Sequence, residues 1–455
     1  MALNTGPDIV FGQPGHNETP GPLASLPAQG EPGPLASLPA QGEPGPLASL
    51  PAQGEPGPLA SLPAQGEPGP LASLPAQGEP GPLASLPAPP TTVAVIESIA
   101  TGAPETIYSQ ADAAEQVAAL FDDPAQRARI PRVYANTRIN TRHLAIDPLD
   151  PEFLEYSRRP ATIRERMTRF FDLAVPLALD VARRAIAGVP NPTTDIGLVV
   201  FVTSTGFIAP GVDIAVIKQL ELAPTVNRVV VNFMGCAAGV NGIRTATDYV
   251  RANPDRKALV ICLELSSINA AFGDNVVEVI THSLFGDGCG AVVVGASEVG
   301  HPLPAGHVVI RSTFSHLLDD AEDGIVLGVN DNGITCELAQ ELPQYIVDGV
   351  APAIDAELSS QGMTRDDVEL WAIHPGGPAI IESSARSLGI SAERAGPSWD
   401  VLAEYGNMLS VSLLFVLEQM VAQRDSGTRP VSTGVAFSFA PGVTLEGMLF
   451  DIIRG

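Results

Sequence analysis

Short runs of β-branched and other apolar residues recur along this chain at intervals long enough to hold a helix. Ile196–Thr203, Val229–Phe233 and Ala258–Glu264 are such runs, and each reads as a buried strand. Strands that alternate with helix-length stretches imply βαβ units and a parallel sheet covered on both faces. The pattern starts with a strand at Val93–Ile96, a helix over Ala111–Phe121 and a second over Thr162–Ala187. It resumes after residue 290. Ala291–Gly295, Val308–Phe314 and Leu370–Ile373 read as strands, and Val435–Phe439 with Thr444–Ile453 as a closing hairpin. Ile346–Leu358, Pro378–Leu388 and Tyr405–Ala422 read as helices. The expected fold class is α/β, with two βαβ-based halves over residues 92–300 and 301–455.

Residues 1–91 follow another rule. From Gly21 a twelve-residue unit, Gly-Pro-Leu-Ala-Ser-Leu-Pro-Ala-Gln-Gly-Glu-Pro, begins again at Gly33, Gly45, Gly57 and Gly69, and a sixth copy from Gly81 breaks off at Pro89-Pro90. Three prolines per unit forbid a helix or a central strand. Two leucines per unit are too few to bury a face, so the arm is expected to be disordered and partly polyproline-like.

The formal charge of −26 argues against nucleic acid as a partner. Most of that charge belongs to the folded part, since residues 1–92 hold only seven acids and no Lys or Arg. No apolar run is long enough to span a membrane, and the chain shows no secretory signal. Cys236, Cys262, Cys289 and Cys336 are widely spaced, with no Cys-x-x-Cys pair. That spacing suits neither a disulfide framework nor a zinc site and fits a reducing cytoplasm. In so acidic a chain the arginines of 126–142 stand out, and a phosphate-bearing ligand would suit them as well as a solvated helix face would.

Cys236 sits where a strand hands over to a helix. Val229–Phe233 leads to Gly235, which permits a tight turn, and helical spacing begins at Ala237. Unpaired N–H groups and the helix dipole at that point favour a thiolate nucleophile, although a buried structural cysteine would read the same way. In the second half His374 follows a strand and Asn407 opens a helix. Ligands gather beyond the carboxyl ends of such strands, so the three side chains can meet there. An imidazole can take the thiol proton. By spacing alone His374 could equally be structural and Asn407 a helix cap.

Four blocks carry a more specific likeness: Phe233-Met-Gly-Cys-Ala-Ala-Gly239, Ser283-Leu-Phe-Gly-Asp-Gly288, Ile373-His-Pro-Gly-Gly-Pro378 and Glu404-Tyr-Gly-Asn-Met408. In type and order they resemble the signature blocks of type III polyketide synthases. This is the chalcone/stilbene synthase family, built on the layered αβαβα thiolase fold, and the likeness is strongest to bacterial members that make long-chain alkyl-α-pyrones. It covers about Thr92 to Gly455 and leaves out the repeats.

The resemblance implies an acyltransferase that condenses an acyl-CoA starter with malonyl-CoA, working as a homodimer without metal or other cofactor. It makes Cys236 the nucleophile, with His374 and Asn407 binding the malonyl thioester carbonyl during decarboxylation. Phe285 becomes the gate between the CoA entrance and the cavity. Arg129 and Arg132 fall where the family binds CoA phosphates, while a third cationic position is Asn136 here. Thr205, Ala209, Ser266 and Cys336 would line the substrate tunnel, with Ala209 on a loop (204–211) that crosses the dimer interface. Cys336 replaces an aromatic residue of the plant enzymes, Leu409 replaces a small one, and Ser438-Phe-Ala-Pro-Gly442 departs from the family's Gly-Phe-Gly-Pro-Gly. These departures bear on starter and cyclisation. An initiating ketoacyl synthase shares the Cys/His/Asn set, and a non-catalytic scaffold acting through the arm is the reading from another class.

Overall fold

The structure is a computed structural model that describes residues 92–147, 150–151, 162–191, 193–270, 283–330, 333–423 and 429–454. The arm of residues 1–91, with its expected disorder, lies outside them. In chain order the strands are β1 (Thr92–Gly102), β2 (Ile107–Ser109), β3 (Thr141–His143), β4 (Ile196–Thr203), β5 (Asn227–Asn232), β6 (Lys257–Leu265), β7 (Asp287–Glu298), β8 (Val308–Leu317), β9 (Ile325–Asn330), β10 (Gly333–Leu338), β11 (Leu370–Ile373), β12 (Val431–Ala440) and β13 (Thr444–Ile453). The helices are α1 (Gln110–Ala119), α2 (Pro124–Asn136), α3 (Ile163–Ala187), α4 (Val212–Gln219), α5 (Ala238–Ala252), α6 (Leu342–Ser360), α7 (Pro378–Leu388), α8 (Gly396–Tyr405) and α9 (Ser412–Ala422).

Local chemistry sets several of these boundaries. Thr162 and Glu165 form a reciprocal capping box that starts α3. Asp123 accepts a hydrogen bond from the Ala125 N–H, and Pro124 supplies a ready-made φ at the start of α2. All eight residues of β4 are buried, as expected for a strand covered on both faces.

Among the described residues nine strands form one sheet, in the order β11-β12-β13-β8-β1-β7-β6-β4-β5. Parallel pairing is confined to β4 with β5, β4 with β6 and β11 with β12. The sheet is therefore mixed and not the parallel one expected. β1 runs antiparallel to both β7 and β8, so it joins the two halves into one sheet. Hydrophobic period reports a strand but not which partner, some 200 residues away, it will take.

The two faces of the sheet carry different helices. α5 and α9 pack in one core with residues of β4 and β6 and also of β12 and β13, so both ends of the sheet close over the same helix pair. α3 and α4 cover the outer face at β4, β6 and β7, and α6 and α7 cover it at β11–β13. Helix, sheet, helix, sheet and helix layers result.

Two expectations need correction. Val229–Val231 does not form a buried strand: β5 is the sheet edge, and Val229 and Val230 are 36% and 49% exposed. The helix expected from Tyr405 starts at Ser412, because Gly406 (φ 72°) ends α8 and Leu409 (φ 49°) opens a 3₁₀ turn at Leu409–Val411. Asn407 thus lies between helices.

Candidate active site

β5 ends at Asn232, and the next residues turn sharply. Phe233 and Gly235 both take left-handed φ values, 57° and 55°. A Cβ on Gly235 would also stand 3.1 Å from the Pro441 ring. The Gly235 N–H donates to Ser204 Oγ at 3.0 Å, which ties the turn to the end of β4. Cys236 follows in the 3₁₀ turn Gly235–Ala237, directly before α5. The surroundings of the thiol act against the thiolate expected at a helix N-terminus. Burial holds its pKa well above the ordinary value, the neighbouring Cys336 thiol adds to the rise, and a hydrogen bond with Asn407 only partly offsets it.

His374 is the first residue after β11 and is 2% exposed. Burial pushes its pKa down to about 3, against a smaller opposing effect of the Asn407 amide. The ring is therefore neutral near pH 7. Neither ring nitrogen has a hydrogen bond of good geometry with a described residue. Gly376 makes room for the ring, since a Cβ there would lie 3.0 Å from it.

Asn407 links the other two side chains. Its Oδ1 accepts the Leu409 N–H at 2.9 Å and so caps the 3₁₀ turn. With the oxygen used in this way, the amide NH2 is the end that faces the site, where it donates to the Gly376 carbonyl at 3.2 Å and approaches both His374 and Cys236. Asn407 is the cap that its position allowed, through its oxygen, and the cap leaves its NH2 end toward the site. Phe285, half-buried, pairs with Asn407 in an isolated parallel bridge, with Asn407 N–H to Leu284 O at 2.8 Å and Gly286 N–H to Asn407 O at 3.0 Å.

Glu264 at the end of β6 was not singled out by sequence reasoning. It is fully buried, and its carboxylate accepts from Ser410 Oγ (2.6 Å), Thr205 Oγ1 (2.8 Å) and the Ser204 N–H (2.9 Å). Burial nevertheless pushes its pKa up to about 7. The available signal was an acid inside the apolar run Ala258-Leu-Val-Ile-Cys-Leu-Glu-Leu265, a place acids occupy only with several donors in reach.

The remaining expected residues divide. Thr205 is buried in the Glu264 network, and Ser266 is buried beside it in the chain with no partner for its hydroxyl among the described residues. Cys336 is half-buried on β10, where burial and Glu337 push its thiol up to about 11. Ala209 is exposed and joins no side chain of this cluster. Arg129 and Arg132 are exposed on α2 and form no ion pair with a described residue. A cavity of about 720 Å³ between α1 and α2, lined by residues such as Gln110, Arg127 and Tyr134, holds none of the Cys/His/Asn set. Among the described residues no group of three or more His, Cys, Asp or Glu stands close enough to hold a metal ion.

Known proteins resemble the chain over both halves. Residues 89–298 match the family model of chalcone and stilbene synthases, N-terminal domain, and residues 309–454 match the C-terminal domain. The chain is 63% identical over 367 residues to the alpha-pyrone synthesis polyketide synthase-like Pks18 of Mycobacterium tuberculosis, covering 81% of this chain and 93% of that protein. Against type III polyketide synthase B of Arabidopsis thaliana the identity is 30%, over 72% of this chain and 86% of the other. The crystal structure of PKS-I from the brown alga Ectocarpus siliculosus superposes with a TM-score of 0.73 at 40% identity, covering 80% of this chain and 99% of that one. With both halves matched and the agreement running from the first strand to the last, the chain belongs to the chalcone and stilbene synthase family.

Proposed function

We propose that the protein is a type III polyketide synthase that extends a medium- or long-chain acyl-CoA with malonyl-CoA and releases an alkyl-α-pyrone. One observation carries the mechanism. The Asn407 amide, its oxygen committed to Leu409, presents N–H donors beside a neutral His374 and the Cys236 thiol.

In loading, the neutral imidazole takes the Cys236 proton only as the sulfur attacks, since a thiol held above its ordinary pKa does not give it up beforehand. The sulfur attacks the starter thioester, CoA thiolate leaves, and the proton passes to it. Malonyl-CoA then loses CO₂, and the electrons of the broken C–C bond form an enolate on the thioester oxygen. Donors from His374 and Asn407 stabilise that oxygen, each worth about 3–4 kcal/mol. The enolate carbon attacks the Cys236 thioester, forming the new C–C bond and expelling the thiolate. After further rounds an enol oxygen of the chain attacks its own thioester carbonyl, closing the lactone and releasing a thiol. The route needs no cofactor beyond the CoA thioesters it consumes.

In this reading Phe285 gates the entrance, Arg129 and Arg132 meet the CoA phosphates, and Thr205, Ser266 and Cys336 line the tunnel. The working form is a homodimer, which would cover the exposed Val229 and Val230 of the edge strand β5 and the exposed Phe207 and Ile208 of the loop that bears Ala209. No described helix is long and apolar enough to cross a membrane. All four cysteines are free, which suits the reducing cytoplasm proposed for the protein.

The test is to incubate the protein with radiolabelled malonyl-CoA and a series of acyl-CoAs and to identify products by mass. Alkyl-α-pyrones from medium- and long-chain starters are expected. Products of a single condensation, or a preference for aromatic starters, would overturn the reading.

A further inference from the structure

Ser283 and Leu284 end a helical turn and Phe285 forms the isolated bridge to Asn407, and the backbone of this segment is held both by Asn407 and by buried side chains. Toward the site, Leu284 O and Gly286 N–H are the two groups paired with the backbone of Asn407. Two further carbonyls of the segment, those of Ser283 and Phe285, are held by side chains. Gln110 Nε2 donates to Ser283 O at 2.7 Å, and Arg142 Nη1 donates to Phe285 O at 2.9 Å. Arg142 Nε also donates to Gln110 Oε1 at 2.9 Å, so the two side chains act as one brace. Gln110 is steadied in turn by donating to Thr137 Oγ1 at 3.1 Å. Both are almost fully buried, at 4% and 5% exposure.

Arg142 touches the second strand of this bridge as well. A Cβ on Gly406 would lie 3.1 Å from its Cγ and 3.2 Å from its Cδ, so the side-chain stem lies flat against the residue before Asn407. One guanidinium and its stem therefore contact both the segment that bears the Phe285 gate and the segment that bears the Asn407 amide. A guanidinium holds this two-point fork rigidly, and an ammonium cannot.

We infer that Arg142, braced by Gln110, is a positioning residue that holds the Phe285 gate and the Asn407 amide as one unit, so that malonyl decarboxylation depends on it more steeply than acylation of Cys236 does. The inference rests on the assignment of Asn407 to the decarboxylation step. Donors that stabilise a developing oxyanion work only at the right place, and an error of about 1 Å costs on the order of a hundred-fold. Cys236 hangs from a different turn, fastened to Ser204, and meets the braced unit only through the Asn407 amide.

The experiment measures the two half-reactions separately in the full chain. Acyl transfer to Cys236 is followed by intact mass with acyl-CoA alone, and CO₂ release with labelled malonyl-CoA alone. Wild type, Arg142→Lys, Gln110→Leu and Asn407→Ala are compared, with melting temperature recorded for each. In Arg142→Lys and Gln110→Leu the ratio of CO₂ release to acylation should fall by about ten-fold or more. A smaller change in that ratio, including a loss shared equally by both half-reactions, overturns the inference. Should Arg142→Lys fail to fold, Gln110→Leu alone decides. Retained CO₂ release in Asn407→Ala overturns the Asn407 assignment and the inference with it, whereas its loss beside unchanged brace variants overturns the brace alone.

Discussion

Glu264 and His374 show how burial acts in opposite directions on an acid and a base in one site. The Glu264 carboxyl, ordinarily near 4.5, is pushed up to about 7, and Asp287 up to about 6. A folded-state value above the unfolded one means the folded protein binds the proton more tightly. The stability that follows is complete below the unfolded pKa and is lost as pH rises through the folded one. For Glu264 the window is pH 4.5 to 7, worth up to about 3 kcal/mol. His374 works the other way. Its pKa of about 3 lies below 6.5, so its contribution is complete above 6.5 and lost as pH falls. Glu264→Gln should therefore flatten the decline in melting temperature between pH 5 and pH 8 by a few degrees; an unchanged slope in a thermal-shift titration would refute the assignment. Asn407 permits a sharper test, because its two ends do different jobs. Asn407→Asp keeps an oxygen to cap Leu409 and loses the NH2 donor. It should fold with a melting temperature lowered by a few degrees, because its second oxygen faces the Gly376 carbonyl, while CO₂ release from malonyl-CoA falls about 10²–10³-fold.

Between elements, close approach is decided by glycines. A Cβ on Gly286 would stand 2.2 Å from the Tyr405 carbonyl oxygen, and one on Gly239 2.6 Å from that of Ser410. The first contact holds the Phe285 segment against the end of α8, and the second seats α5 against the turn that follows Asn407. Backbone cannot yield as a flexible side chain can, so Gly286→Ala should cost about 1–3 kcal/mol in a denaturant melt. Wild-type stability in that variant would mean the two segments are free to part. The element readings failed at this same level. α8 was not anticipated because its pattern runs into that of α9, from which the turn at Gly406 and the 3₁₀ turn at Leu409–Val411 separate it. β5 has the composition of a central strand and lies at the edge, since composition describes a strand and not its neighbours.

At the scale of the whole molecule, the repeats lack the apolar residues to build a core, while β1 begins at Thr92 with partners on both sides. A chain starting at Thr92 should keep its steady-state constants and melting temperature, and a large loss in either would show that the arm contributes to the folded part. The starter pocket is a property of the assembled protein too. Each buried CH₂ of an acyl chain is worth about 0.8 kcal/mol, so long starters need a continuous apolar channel. Ser266→Phe should shorten the accepted chain and spare short starters, measured as specificity constants across a chain-length series. Flat profiles in wild type and variant would rule out such a channel.

From the sequence alone came most of the strands and longer helices, the family blocks, and the Cys236, His374 and Asn407 set. Each of these is written in a local pattern: a β-branched run, a helical period, or a short motif at a turn. The tertiary structure decided what local patterns do not carry. It set the antiparallel pairing of β1 that joins the halves, the exposure of β5 and the burial that raises the Cys236 pKa and lowers that of His374. It also brought Arg142 and Gln110 to the segment that bears Phe285. Pairing partner, burial and pKa depend on groups that are distant in the chain and become neighbours only once the sheet has closed over α5 and α9.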